Sequence, residues 1–165
     1  MLAEYSFVSR WQLPVASGRA WAEIERMITA GAPEPTSARV AATTWWPAVT
    51  IAVPLAALDA GGRLDLVVRS PLGYRLRVRL TVDGVEPGRA LSARSDGDLR
   101  GSGRIVVDPV GDAASVVTFH WDVATRRPWM NATAWLLRPV FERAHARVMH
   151  DGERGMRAAL EARPG

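Results

Sequence analysis

Three side chains of this 165-residue chain combine reactive chemistry with a setting that could use it: His145, Tyr74 and Asp98. His145 falls about 40° around a helix from Phe141, at the edge of an apolar stripe. There an imidazole that titrates near neutrality can donate to a ligand oxygen or act as acid and base, and the same position equally suits a core histidine satisfied by a backbone group. Tyr74 opens an alternating run on its apolar side, with its hydroxyl either at a pocket mouth or with its tip in water. Asp98, in Gly97-Asp98-Leu99-Arg100-Gly101-Ser102-Gly103, is a candidate general base that follows Gly97 closely enough to be a turn residue.

Other chemistries lose support quickly. His150 lies about 140° around the helix from His145, so the two cannot chelate one metal, and His120 falls on the polar side of its strand. No metal site and no cofactor are expected. The chain has no cysteine, which removes disulfides, thiolate nucleophiles and Cys-ligated metals. Gly-x-Ser-x-Gly, Walker, His-Glu-x-x-His and Gly-x-Gly-x-x-Gly motifs are absent. All 21 basic residues are Arg, with a net charge of +4. Arg75, Arg77 and Arg79, with Arg69, Arg94 and Arg104 alongside, read as a solvated outer face; no stacking aromatics interleave them, so no nucleic-acid partner is expected.

These residues need a scaffold, and the chain supplies its pattern. Tyr5, Phe7, Ser9, Trp11 and Leu13 alternate with Ser6, Val8, Arg10 and Gln12, the period of a half-buried strand. Pro14 ends it, and Ser17 can cap a helix carrying Ala20, Trp21, Ile24, Met27 and Ile28. Gly31 to Thr44 lacks a clear period and reads as a loop, a conceivable lid. Turn signals then recur roughly every ten residues, at Gly61-Gly62, Pro71-Leu72-Gly73, Asp83-Gly84, Asp96-Gly97 and Gly111-Asp112, as consecutive antiparallel strands require. Tyr74, Leu76, Val78, Leu80 and Val82 make one dry face; Val117, Phe119, Trp121 and Val123 make another.

The C-terminal segment, from about Asn131 to Ala162, reads as a long amphipathic helix. Leu137, Phe141, Val148, Gly152, Gly155 and Ala159 share a stripe, and Arg143, Arg147, His150, Glu153, Arg154, Arg157 and Glu161 fall opposite. Pro139 either kinks it or separates a short first helix from the main one. Gly152 and Gly155 each cost about 1 kcal/mol against Ala inside a helix, so they imply close contact with the sheet or room for a ligand.

The order strand, helix, about six strands, long helix resembles the START-like superfamily, also called SRPBCC, and within it the polyketide cyclase/dehydrase-like group. The segments carrying the resemblance are LPVASGRAW (Leu13 to Trp21), WWPAV (Trp45 to Val49), GDLRGSG (Gly97 to Gly103), SVVTFHWDV (Ser115 to Val123) and FERAHARVMHDGERGM (Phe141 to Met156). The resemblance implies an α+β helix-grip fold, a single domain over residues 1–165, in which a curved antiparallel sheet of six to seven strands wraps around the last helix. It also implies a cavity between them, which members use for lipids, hormones, aromatic polyketides or quinones. It places Trp46, rather than Trp45, inward.

Inward strand positions and the helix stripe together propose a pocket lined by Trp46, Tyr74, Leu76, Val78, Ile105, Val107, Trp121, Phe141, His145, Val148 and Gly152. The expected function is binding of a small apolar ligand, lipid-like, aromatic or polyketide-like. The alternative is an aromatase/cyclase or dehydratase using His145, Tyr74 or Asp98. The start MLAEYSFVSRW lacks the basic-then-apolar pattern of a signal peptide, and no apolar run reaches ~18 residues. The expectation is therefore a cytoplasmic monomer or homodimer with no stable membrane insertion.

Overall fold

The computed structural model describes residues 2–29 and 42–164. Its elements run β1 (Glu4–Leu13), α1 (Ser17–Thr29), β2 (Ala42–Thr43), β3 (Val49–Val53), β4 (Arg63–Arg69), β5 (Arg75–Glu86), β6 (Ala90–Gly97), β7 (Leu99–Val110), β8 (Ala114–Thr125) and α2 (Pro128–Ala162). The strands form one antiparallel sheet in the order β1-β8-β7-β6-β5-β4-β3-β2. Seven are long enough to be the strands expected from sequence; the eighth, β2, is a two-residue strand on the β3 edge. The fold is a helix grip, a curled sheet with the long C-terminal helix against it. The expected lid lies outside the described residues up to position 41, and its last part supplies β2.

The hydrophobic alternation decides which face each strand buries. In β1, Tyr5, Trp11 and Leu13 are buried while Ser6, Val8, Arg10 and Gln12 are exposed. The strand pairs along its whole length with β8, Tyr5 opposite Val123 and Trp11 opposite Val117, so the first and last strands share one dry surface. On the other face of the sheet, Arg residues meet acids on nearby strands, Arg79 with Asp65 and Arg94 with Asp83 on adjacent strands and Arg104 of β7 with Glu86 of β5 across β6, at 2.7 to 2.9 Å. Each such exposed pair contributes little stability. Together they neutralise much of the arginine stripe, which is thus a solvated, ion-paired surface. Gly97 has φ +97°, and a Cβ there would sit 2.5 Å from the Arg77 carbonyl oxygen. Only glycine lets the β6–β7 turn press so closely on β5.

The last helix begins at Pro128, three residues before the expected start, with proline in the first turn, where its missing N–H costs nothing. It continues through Pro139 as one helix. Its buried stripe is Met130, Phe141, Ala144, Val148, Met149, Gly152, Met156 and Leu160. This face meets two apolar clusters. One, built on Trp11, Leu13, Trp21, Ile24, Val107, Val117, Met156 and Leu160, joins α1, the sheet and the end of α2. The other, built on Tyr5, Leu76, Val78, Met130 and Phe141, sits under the beginning of α2.

The end of α2 is also tied to α1 by charge. Glu23, only 2% exposed, accepts from Arg26 and, at 3.0 Å, from Arg163; Arg19 donates to the carbonyls of Leu160 and Arg163. A buried carboxylate is tolerated because two guanidiniums and their hydrogen bonds replace its water.

Candidate functional site

Between the inward face of the sheet and α2 lies an apolar cavity of about 270 Å³. The period-two pattern of the strands supplies most of its wall: Leu64, Leu66 and Val68 from β4, Leu76, Val78 and Leu80 from β5, and Trp121 and Val123 from β8. From α2 come Met130 in the first turn and then Phe141, Ala144, His145, Val148 and Met149, which recur at helical spacing on the face towards the sheet.

Of the residues proposed from sequence, Trp46, Tyr74, Leu76, Val78, Ile105, Trp121, Phe141, His145 and Val148 lie on this wall. Val107 and Gly152 do not, and both placements are corrections. Val107 shares a strand face with Ile105 but lies two residues further along β7, opposite Val117, where the core is filled; it is 1% exposed. Gly152 touches an indole instead of empty space. A Cβ there would come 2.5 Å from Trp46 Cε2 and 2.9 Å from Trp11 Cη2. Likewise a Cβ on Gly155 would sit 1.9 Å from the Trp45 carbonyl oxygen. The two glycines let the Trp45–Pro47 segment approach the helix, so of the two reasons offered for them it is close contact that operates.

Trp46 itself closes one side of the cavity. Its Nε1 donates to the Val148 carbonyl at 2.8 Å, and its ring stacks on Trp45 at 5.9 Å, nearly parallel. Gly103 serves Trp121 in a similar way, since a Cβ there would lie 2.4 Å from that indole.

At the end of the cavity under the first turns of α2 the wall becomes aromatic. Phe141 meets Tyr5, Tyr74 and Trp129 edge-on at 5.9 to 6.4 Å. Trp129, outside the wall itself, packs against Tyr74 at 5.3 Å. Phe7 stacks on Tyr5 at 5.8 Å and on His145 at 3.9 Å. Two polar atoms in this group are buried without a hydrogen-bond partner among the described residues, Tyr5 Oη and His145 Nε2. Each such atom costs roughly 1 to 3 kcal/mol. Burial pushes the Tyr5 hydroxyl pKa up, partly offset by Arg138, whose guanidinium lies 5.0 Å over the ring. Burial also pushes the His145 imidazole down to about 4, so it is neutral at physiological pH.

Asp98 is elsewhere. Its carboxylate accepts from the Arg77 backbone N–H and from Arg127 Nη2, both at 2.8 Å, and Arg127 also donates to the Arg75 carbonyl. Those partners hold its pKa below the usual carboxylate value despite partial burial. The residue fastens the β6–β7 turn to the entry of α2, which is a turn residue's task, and it is absent from the cavity wall.

Sequence reasoning missed Tyr5 and Phe7 as site residues. The signal was present, because both share the dry face of β1 with Trp11 and Leu13. What the alternation could not reveal is that this face covers the cavity at one end and the filled core at the other. Among the described residues no group of three His, Asp or Glu side chains is placed to hold a metal ion, and no helix is long and apolar enough to cross a membrane.

The geometry is that of a curled sheet gripping a long helix with an apolar cavity between them, and solved structures share this architecture. The Zhui aromatase/cyclase from Streptomyces sp. R1128 superposes with a TM-score of 0.69 at 11% identity, covering 96% of this chain and 94% of its own. A START superfamily protein from Mycobacterium smegmatis gives 0.67 at 12%, covering 95% and 97%. Norcoclaurine synthase from Thalictrum flavum, solved with dopamine and hydroxybenzaldehyde, gives 0.57 at 12%, covering 99% and 91%. No protein-family model and no curated protein matches the sequence. The chain therefore has the START/SRPBCC fold that these solved structures share.

Proposed function

We propose that this protein is a cytoplasmic binding protein that encloses a small apolar molecule in the cavity between its sheet and α2. The observation that carries the reading is the cavity of about 270 Å³, walled almost wholly by aliphatic and aromatic side chains. Close packing is the norm in protein interiors, and a dry space of this size under a helix that packs tightly elsewhere marks a place for a ligand. Its size suits a molecule of two or three rings or a short chain, at the small end of ligand pockets. Native mass spectrometry of gently purified protein, with titration of a naphthalene-based lipophilic dye, tests it. A retained small molecule, or dye uptake displaced by aromatic competitors, is the expected result; a protein that carries nothing and takes up no dye defeats the reading.

A second reading is supported by the polar aromatics at one end of the cavity: an aromatase/cyclase or dehydratase acting on a polyketide-like substrate, with His145 and Tyr74 moving protons. A neutral imidazole is the form a general base requires, although a pKa of about 4 makes it a weak one at pH 7. Turnover of a candidate poly-ketone substrate unchanged in both His145→Ala and Tyr74→Phe excludes these assignments.

A further inference from the structure

We infer that two copies of this chain associate through the free edge of β1, Val8 of one against Val8 of the other, so that their two sheets join into one antiparallel sheet.

The sheet ends in two unequal edges. At one, β2 is two residues long. At the other, β1 runs for ten residues in unbroken register with β8 and contains no proline. Along an antiparallel strand, successive residues turn their N–H and C=O groups alternately towards the neighbour and away from it. Contacts with α2 show which set turns away. The Glu4 carbonyl accepts from Arg138, the Gln12 N–H donates to Glu153, and the Gln12 carbonyl accepts from Arg157. Glu4 and Gln12 therefore face outward, and Ser6, Val8 and Arg10 between them do so by the same alternation. Proteins blunt such an edge with bulges, prolines or a covering element. Here the covering helix caps the two ends and stops short of the middle. No hydrogen bond meets the outward backbone groups of Ser6, Val8 and Arg10 among the described residues, and all three side chains are exposed, Val8 by 58%.

Self-complementarity identifies the occupant as a second copy. Antiparallel pairing about a two-fold axis at Val8 is the register that uses all three open residues: Ser6 against Arg10, Val8 against Val8, and Arg10 against Ser6, with two N–H···O bonds for each facing pair. The same register matches charge. Ser6 lies opposite Asp122 of β8 and donates to it at 2.5 Å. Arg10 of one copy thus faces Ser6 of the other, with Asp122 of that copy one strand beyond. Within its own chain Arg10 has no acidic partner among the described residues. The fold already spans that separation once, because Arg104 on β7 reaches Glu86 on β5 at 2.8 Å across β6, where Ser92 stands opposite Arg104. Two Arg10–Asp122 pairs, related by the axis, would flank an apolar centre of two valines. An unrelated extended peptide gains the backbone bonds without both charge pairs.

Sedimentation velocity of the whole chain across a concentration series tests the inference. A reversible dimer, half-formed at about 100 µM or below, is expected from an interface of this small size. Val8→Pro removes an N–H that faces away from β8, so it is expected to weaken the dimer about tenfold or more while the monomer keeps its melting temperature. Arg10→Asp and Asp122→Arg, on the exposed face, are each expected to weaken it about tenfold, and the double variant Arg10→Asp/Asp122→Arg to restore it to within about threefold of wild type. These charge variants carry the test if Val8→Pro fails to fold. A chain that stays monomeric up to about 1 mM overturns the inference. A dimer indifferent to Val8→Pro and to Arg10→Asp overturns its assignment to this edge, and failure of the double variant to recover overturns the register.

Discussion

From Gly152 onward, α2 lies hard against the Trp45–Pro47 segment and the filled core beneath it; from Met130 to Val148 the same helix runs over a cavity. The two ends also differ outside. Between Pro128 and Leu137 there is no charged residue, and Trp129, Trp135 and Leu136 are 43%, 83% and 61% exposed. Beyond Pro139 the outer face carries Arg143, Arg147, His150, Arg154, Arg157 and Glu161, all exposed. A single regular helix therefore serves two purposes. Its C-terminal half anchors the fold with small residues that admit indoles and backbone, while its N-terminal half meets the sheet through Met130 and Phe141 beside the cavity. Stability and hollowness are separated along one element, so a space can persist at one end without collapsing the other.

The comparison breaks most sharply at Gly155. Gly155→Ala puts a methyl group into the Trp45 carbonyl oxygen, a backbone atom that cannot rotate away, and is expected to cost about 3 kcal/mol or more in urea unfolding even though alanine favours the helix. A loss under 1 kcal/mol would show that the anchored end is looser than its geometry implies.

At the hollow end the largest expected effect is a pH dependence. His145 has its pKa lowered by burial to about 4, below its ordinary value near 6.5, so the unfolded chain takes up a proton before the folded one does. Stability is full above pH 6.5, falls as pH drops towards 4, and levels off below that. The loss is on the order of 2 to 3 kcal/mol at about 1.4 kcal/mol per pKa unit, discounted for the partial exposure of the ring. His145→Phe removes this component, and melting curves of the two proteins between pH 7 and 4 measure it.

Val78→Phe sharpens the contrast in the opposite sense. Added bulk in a filled core costs about 1 to 3 kcal/mol, but Val78 faces the cavity, and a cost below about 1 kcal/mol is expected, together with loss of dye uptake. Retention of full uptake would place the ligand away from β5. The smallest effect is expected at Trp135: it is 83% exposed, and Trp135→Ser should change stability by less than about 0.5 kcal/mol.

Much of this was legible from residue order. Alternation in β1, β5 and β8 and the stripe in α2 are direct consequences of the two periods, and each was read with boundaries within a few residues. The turn signals near Gly61, Gly73 and Gly97 marked the ends of strands for the same local reason. Local pattern assigns a face, however, and says nothing about depth along it. Ile105 and Val107 share a face of β7, yet one borders the cavity and the other is sealed in the core.

Sequence by itself thus determined the helix-grip order, the dry surfaces, the amphipathic last helix and the presence there of one histidine and two glycines, because these depend on interactions between near neighbours. Only the tertiary structure decided what those three residues meet. Gly152 and Gly155 face Trp46 and Trp45, more than a hundred positions earlier, and His145 faces Phe7 and shares its stack with Tyr5. Contacts of that separation are set by how the sheet curls and where α2 crosses it. The same crossing leaves Asp98 outside, fixing a turn, and gathers two unpaired polar atoms at one end of an apolar space.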